Sequence, residues 1–295
     1  MTRYEPAIDL DAITAIDVHV HIEVDGHGHA SLPEDLAAGA AKYFSTDGPN
    51  PDLDSVAEYY RERRMAAVVF TVDAETQLGH SPLSSVDIAE GAARNNDVLI
   101  PFGSVDPHKA TAIDDARRLI EEHGVRGFKF HPTVQGFDPS DEARFPLYEV
   151  LQEAGVVALF HTGQTGIGAG LPGGRGLLLS LSNPMLLDPV AARFPELQII
   201  MAHPSVPWQD EALSVATHKH NTWIDLSGWS PKYFPEPLVR AANSYLKKRV
   251  LFGSDFPLLT PNRWMRDAET MGSFTPEVLP GILKDNAARL LGLGG

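Results

Sequence analysis

Runs rich in Val, Ile and Phe recur eight times along this 295-residue chain, each followed by a helix-like amphipathic segment. From Ala15 to Val250 the runs begin about 34 residues apart on average, which suits a strand, a helix and two short loops. Eight such units predict an α/β fold, a (β/α)8 TIM barrel forming a single domain over residues 1–295. A doubly wound open sheet is the alternative, but the first run lacks a glycine-rich dinucleotide turn. The predicted strands are Ala15–His21, Ala66–Asp73, Leu99–Asp106, Gly124–His131, Val156–Thr162, Leu197–His203, Asn221–Ser227 and Val250–Asp255.

Two connections are too long to be simple loops, and they follow strands 1 and 5. They are Ile22–Leu53 and Gln164–Asn183, and both are rich in glycine. In a barrel both lie on the C-terminal face, where active sites form, so they are predicted as lids or substrate walls, with flexible decoration as the alternative. The last helix is predicted over Pro276–Leu291, with Thr275 as its N-cap.

Charge and composition narrow the class of protein. A net charge of −15 argues against nucleic acid, which binds basic surfaces. The chain has no cysteine, so disulfides, thiolate metal sites and a cysteine nucleophile are excluded, and a metal must bind His, Asp or Glu. Residues 1–11 lack a basic segment followed by an apolar run, and no stretch of about 18 apolar residues occurs. These features predict a cytoplasmic protein that does not bind membranes.

Polar residues stand out on the first predicted strand. Its alternation sends Asp17, His19 and His21 to one side. Two imidazoles two residues apart at the end of a strand can bind one metal ion, although a solvated pair of loop histidines is the alternative.

Other predicted strands also end in metal-ligand types. The fifth ends in His161, the sixth in His203 and the eighth in Asp255. In a barrel these strand ends meet at one mouth, where imidazole and carboxylate suit a Zn²⁺-like ion with a position open for water or substrate. The alternative is that the two histidines are hydrogen-bonded core residues and Asp255 caps the next helix.

Five segments of the chain, in order, resemble the amidohydrolase superfamily. Within it, the likeness is to the amidohydrolase-related branch of aminocarboxymuconate-semialdehyde decarboxylase and γ-resorcylate decarboxylase, and it runs from about Ala15 to Leu291. The sequence also looks like members described as 4-hydroxyphenyl-β-ketoacyl-CoA hydrolases. The segments are IDVHVH from Ile16, GFKFHP from Gly127, FHTG from Phe160, MAHP from Met201 and LFGSDFP from Leu251.

The resemblance implies a metal centre. One divalent ion, Zn²⁺ in preference to Mn²⁺, is expected on four ligands, with His203 beside it as a catalytic residue and Asp17 as a buried hydrogen-bonding partner. Asp255 is expected to act in catalysis as well. A second ion on a carboxylated Lys129 is the less favoured alternative. The expected ligands are His19, His21, His161 and Asp255.

The reaction expected first is hydrolysis, in which metal-activated water attacks a carbonyl, with C–C cleavage of an aryl β-ketoacyl-CoA as the specific case. The alternative is non-oxidative decarboxylation of an aromatic or unsaturated acid by the same residues. A barrel that binds metal without catalysis is a third hypothesis, but no expected ligand is missing. The substrate is accordingly a small molecule, a CoA thioester or an aromatic acid, and a homodimer is expected from the relatives. Weaker candidates for substrate binding are Lys129, His131, Arg175 and Trp229.

Overall fold

Eight parallel strands follow one another around a barrel in the computed structural model, which describes residues 3–44 and 50–294. Each strand pairs with the next in chain order. Hydrogen bonds of 3.0 Å from Val18 N to Phe252 O and of 2.8 Å from His21 N to Phe256 O link the segment after the last strand back to the first strand. The predicted (β/α)8 barrel is therefore confirmed. The strands are β1 Ala15–His21, β2 Met65–Phe70, β3 Leu99–Gly103, β4 Gly127–Phe130, β5 Val157–His161, β6 Ile199–Ala202, β7 Thr222–Asp225 and β8 Val250–Leu251.

The helices of the described residues alternate with the strands. None of them is long and apolar enough to cross a membrane. Four of them, the second, fourth, sixth and eleventh, begin with a side-chain cap, as in the second helix, where the Asp52 side chain accepts a hydrogen bond of 2.9 Å from Ser55 N. The helices are α1 Glu34–Phe44, α2 Leu53–Glu62, α3 Glu75–Leu78, α4 Ser85–Arg94, α5 Ala112–Glu121, α6 Pro132–Gln135, α7 Phe145–Glu153, α8 Leu187–Arg193, α9 Gln209–His218, α10 Glu236–Ala242, α11 Pro261–Met271 and α12 Asn286–Leu291.

The two long connections predicted after strands 1 and 5 are present. The first contains α1, which the sequence did not predict, and its residues Ser45–Pro49 lie outside the described residues. The second forms short 3₁₀ turns at Pro172–Gly176 and Leu179–Ser182. Both connections follow the carboxyl ends of their strands, so they lie on the face where the barrel opens.

The hydrophobic core has two parts. The first fills the barrel with side chains from alternate strand positions, such as Ile16, Val68, Ile100, Leu159 and Ile200. The second lies between the barrel and the helices, and it collects the opposite faces of the same strands. Buried side chains on both faces explain why the strands read as continuous apolar runs.

The prediction for the last helix was wrong at its start. Residues 276–278 form a turn, helical structure begins at Leu279 rather than at Pro276, and a π-helical turn over Gly281–Asp285 precedes α12. The carbonyl of Ile282 accepts a hydrogen bond of 2.9 Å from Phe252 N. The π-helical turn is therefore held against the residue that comes directly after β8. This contact joins segments that are far apart in the chain, so helix-capping signals in the sequence do not indicate it.

The prediction that Asp17 shares a side with His19 and His21 was also wrong. The pairing of β1 with β2 shifts register between Asp17 and Val20, which changes the alternation along the strand. Asp17 consequently faces the helix layer, where its carboxylate accepts a hydrogen bond of 2.7 Å from the Tyr60 hydroxyl. Its role as a buried hydrogen-bonding partner, implied by the resemblance, matches this position.

Replacing Tyr60 by phenylalanine is expected to lower the free energy of unfolding by about 1–3 kcal/mol, because the buried Asp17 carboxylate loses a hydrogen-bond donor. Both residues are fully buried. Urea titration measures the change, and Tyr245→Phe, at a side chain that is 59% exposed, is the matched control. Equal stability of the two variants would contradict the assigned contact.

Candidate metal centre and active site

Ligand-type side chains from the neighbouring ends of β1 and β8 meet at the carboxyl end of the barrel. The Nε2 atoms of His19 and His21 lie 3.2 Å apart, and each is 3.3 Å from Asp255 Oδ1. A triangle of two imidazole nitrogens and one carboxylate oxygen, all facing one another, is the donor set that a divalent ion binds in the absence of thiolates. The strand ends predicted to converge therefore do so.

His161 and His203 complete the cluster. His161 Nδ1 lies 2.9 Å from His203 Nε2, whereas His161 Nε2 is buried without a hydrogen-bond partner among the described residues. A buried imidazole nitrogen without a hydrogen-bond partner is uncommon, and a metal ion would supply the missing partner. Ligand atoms of His19, His203 and Asp255 also lie within 4.8 Å of one another, so geometry permits two overlapping ligand sets, one in which His21 joins His19 and Asp255 and one in which His203 does.

The backbone at the site is strained. His203 and Asp255 adopt positive φ angles of 70° and 72°, in the left-handed region that side chains rarely occupy. Gly228 lies against them, and a Cβ built there would stand 2.7 Å from His203 Nδ1. His203 and Asp255 lie just beyond the ends of β6 and β8. The backbone turns at these two residues therefore determine where their side chains lie.

Three further polar residues support the histidines, and the sequence analysis missed them. Asp225 Oδ2 lies 2.7 Å from His19 Nδ1, and Glu23 Oε1 lies 3.2 Å from His21 Nδ1. Ser227 Oγ lies 3.0 Å from His19 Nδ1 and 2.9 Å from His203 Nδ1. A carboxylate on the second nitrogen of a histidine is the usual support of a metal ligand. Asp225 and Ser227 lie at the end of the seventh predicted strand. The argument from polar residues at strand ends would have found them if it had been applied to all eight strands.

Burial determines the protonation of the site. It lowers the pKa of His19 and His161 well below the ordinary value, and that of His203 to about 4. The three imidazoles are therefore neutral at pH 7, which is the form that binds metal. Burial alone would raise the pKa of Asp255, but the hydrogen bond from His21 and nearby positive charges hold it below its usual value.

Lys129 lies inside the cluster. Its Nζ is 2.9 Å from His19 Nε2, its side chain is fully buried, and burial lowers its pKa to about 8. It does not line the cavity described below. A carboxylated Lys129 holding a second ion stays a prediction, as does its part in substrate binding.

A cavity of about 580 Å³ opens onto the cluster, and two of the weaker predicted substrate residues line it. One is Trp229; the other is His131, whose ring stacks on His161 at 3.8 Å between centroids. Arg175 does not line the cavity and instead pairs with Asp35 of α1 at 2.7 Å. The floor is formed by His21, His161, His203 and Asp255.

Replacing Ser227 by alanine is expected to lower metal affinity or kcat by about 10- to 100-fold, the range for partners that orient metal ligands. The variant removes a hydroxyl that contacts both His19 and His203. Competition with a chelating dye gives the metal affinity, and Ser214→Ala on the exposed face of α9 is the control. Unchanged affinity and unchanged kcat in Ser227→Ala would show that the hydroxyl orients neither ring.

Solved structures with the same fold cover nearly all of the chain, at low identity. A TIM-barrel protein from Bordetella bronchiseptica is 21% identical with a TM-score of 0.74, covering 94% of this chain and 98% of its own. A dihydroxybenzoic acid decarboxylase from Polaromonas, with manganese and 2-nitroresorcinol, is 16% identical with a TM-score of 0.66, covering 96% and 98%. A probable 2-pyrone-4,6-dicarboxylic acid hydrolase from Acinetobacter baumannii is 15% identical with a TM-score of 0.62, covering 95% and 100%.

Other matched structures are decarboxylases of 5-carboxyvanillate and of 2,6-dihydroxybenzoate. Proteins of curated function include no match to this chain. The sequence profile described as amidohydrolase matches residues 16–293, a span that includes all eight strands except Ala15 and the whole metal-type cluster. By this match the chain belongs to the amidohydrolase family.

Proposed function

We propose that this protein is a metal-dependent decarboxylase of a small aromatic carboxylic acid. One observation carries the proposal: the cavity has the ligand cluster as its floor and mostly apolar side chains as its wall. A volume of about 580 Å³ lies within the range of small-molecule sites. Its apolar wall includes Leu32, Ala37, Phe44, Ile167, Trp229, Leu258 and Leu259.

The charge of the cavity favours a free acid over a CoA thioester. Arg263 is the one Lys or Arg among the described residues that line it. A single guanidinium matches one carboxylate, whereas the several phosphates of CoA would need a basic surface. The apolar wall suits an aromatic ring, which presents its faces to side chains such as Trp229.

Five side chains supply the metal site. His19, His21, His161 and Asp255 would hold one divalent ion, and His203 stands beside them. When bound, such an ion attracts the carboxylate or phenolate oxygen of the substrate and stabilises the negative charge that develops there. Manganese in two of the matched decarboxylases supports Mn²⁺ alongside the Zn²⁺ expected from the sequence.

The chain's own residues then move one proton. Decarboxylation replaces the C–CO₂⁻ bond by a C–H bond. CO₂ leaves, the bonding electrons stay on the ring carbon, and one proton is added to that carbon. Asp255 Oδ1 faces the two histidines of β1, whereas Oδ2 has no hydrogen-bond partner among the described residues. Asp255 is ionised in the free protein because its pKa lies below the usual value, so Oδ2 must first take up a proton from solvent. We assign Asp255 Oδ2 as the atom that then delivers this proton to the ring carbon, and His203 as the group that polarises the substrate oxygen.

Hydrolysis, the first expectation from the sequence, is the second candidate. The same floor can direct water to a carbonyl, and one matched structure is a probable hydrolase. Decarboxylation ranks ahead because several matched structures are decarboxylases of aromatic acids, the class of substrate that the cavity suits.

The test is turnover in D₂O by the protein loaded with Mn²⁺ or Zn²⁺. The substrates are 2,6-dihydroxybenzoate, 5-carboxyvanillate and other hydroxybenzoates, read by CO₂ release and mass spectrometry. We expect metal-dependent CO₂ release with one deuterium at the carbon that lost the carboxylate. A metal-loaded protein that releases no CO₂ from this panel, but incorporates ¹⁸O from labelled water into the products of 2-pyrone-4,6-dicarboxylate or 4-hydroxybenzoylacetyl-CoA, would establish hydrolysis instead.

A further inference from the structure

A second cavity lies at the opposite end of the barrel from the metal-type cluster. Lys248 and Arg249 directly precede β8, whereas Asp255 follows it, and Trp223 is near the start of β7. Because all strands are parallel, these positions mark the amino-terminal face. The cavity has a volume of about 450 Å³ and is lined by Trp223, Ser244, Tyr245, Lys247, Lys248, Arg249 and Arg289.

The lining of this amino-terminal cavity is strongly basic. Four of its seven residues are Lys or Arg and none is Asp or Glu, although the whole chain carries 39 acidic and 24 basic residues. Placing like charges together costs energy unless an anion or a carboxylate compensates. A basic concave surface on an acidic protein therefore concentrates anions locally.

Few carboxylates in the described residues compensate these cations. Lys247 pairs with Glu277 at 2.9 Å, but Lys248, Arg249 and Arg289 form no ion pair there. Arg249 instead donates to the Lys219 carbonyl at 2.6 Å, which leaves its charge uncompensated. Arg249 is partly buried, and burial lowers its pKa. Its guanidinium has no carboxylate partner among the described residues and is still reached by solvent, so an anion from solution can pair with it.

The two guanidinium groups are held in place. Arg289 donates to the Lys248 carbonyl and to Asn286 Oδ1 at 3.1 Å, and its guanidinium lies 5.5 Å from the centroid of the Trp223 ring. A guanidinium group that backbone carbonyls already hold in place loses little entropy when it binds an oxyanion. Its planar arrangement of N–H donors matches the oxygens of phosphate. Tyr245 adds an aromatic side chain that is 59% exposed at the rim.

We propose that the amino-terminal cavity is a binding site for a phosphorylated small molecule, with Lys248, Arg249 and Arg289 contacting the phosphate. A dianionic phosphate compensates more of the positive charge than a carboxylate does. The space beside the cations admits an organic group, which Tyr245 can contact. The site lies at the face opposite the metal cluster, so its occupation is independent of the proposed reaction.

Isothermal titration calorimetry tests the proposal with inorganic phosphate, pyrophosphate and ADP as separate probes on the metal-free full chain. We expect one pyrophosphate or ADP per chain at dissociation constants below about 1 mM, weakened about tenfold or more by Lys248→Ala and by Arg289→Gln. Arg117→Ala, which removes an exposed cation from α5, is the matched control and should bind as the original chain does. Tighter binding of ADP than of pyrophosphate would indicate a nucleotide, and equal binding would indicate that the phosphates alone are recognised.

Two outcomes would overturn the proposal. One is the absence of binding by all three probes up to about 5 mM, which is weaker than a specific phosphate site requires. The other is binding that Lys248→Ala and Arg289→Gln leave unchanged, because the anion would then occupy a different site, such as the metal cluster. Both side chains are exposed, and circular dichroism with a thermal melt verifies that the variants are folded.

Discussion

His203→Ala is expected to lower kcat by about 10²- to 10⁴-fold, the usual contribution of a positioned acid–base group, while metal content stays near one ion per chain. His203 lines the cavity and lies against His161 and Ser227, so it touches the position of the substrate. Its removal leaves His19, His21, His161 and Asp255 to hold the ion. Metal analysis of the purified variant and steady-state kinetics under saturating metal separate the two effects.

The same variant distinguishes the two ligand sets that the geometry permits. If the ion binds His19, His203 and Asp255, whose ligand atoms lie within 4.8 Å of one another, His203→Ala would lose metal together with turnover. That result would overturn the expected set. His220→Ala, at an exposed histidine beyond α9, is the matched control and should retain both metal and kcat.

Asp255→Asn and His161→Ala are expected to lose metal and turnover together. Each variant removes a ligand of the expected set. Metal affinity should therefore fall by more than about 100-fold, the largest loss usual for a residue that only orients a metal ligand. Asp255→Asn also removes the proposed proton donor, so excess Mn²⁺ should not restore its kcat. His161→Ala removes only a ligand, so excess Mn²⁺ is expected to restore part of its kcat.

Metal-binding titrations at several ion concentrations measure this difference. Asp285→Asn, at an exposed acid in the π-helical turn, is the control for the loss of one negative charge. Full metal occupancy in His161→Ala would show that the ion does not need this side chain, and His161 would then leave the ligand set.

Much of the barrel and of its metal-type cluster was readable from the sequence, because both depend on local patterns. Regular spacing of apolar runs indicates strands and helices, and parallel strands in a barrel bring their carboxyl ends to one mouth. His19, His21, His161, His203 and Asp255 each stand at such an end, and the structure places them together.

Contacts between distant segments were not readable. Asp225 and Ser227 support the histidines of other strands, and Glu23 returns to His21 from the first long connection. The register shift that turns Asp17 toward Tyr60 depends on how β1 pairs with β2. Arg175 meets Asp35 because the two long connections pack on each other, which no local pattern reports.

The sequence by itself determined the fold class, the family resemblance and the types of ligand available to a metal, because periodicity, strand ends and the absence of cysteine are properties of the chain. Tertiary structure decided which of those side chains face one another, how burial lowers the pKa of the histidines, and which residues wall the cavity. Those properties depend on distances between residues far apart in the chain, such as the 206 positions that separate His19 from Asp225. The strained turns at His203 and Asp255 belong to this second class, because only surrounding contacts hold such backbone angles.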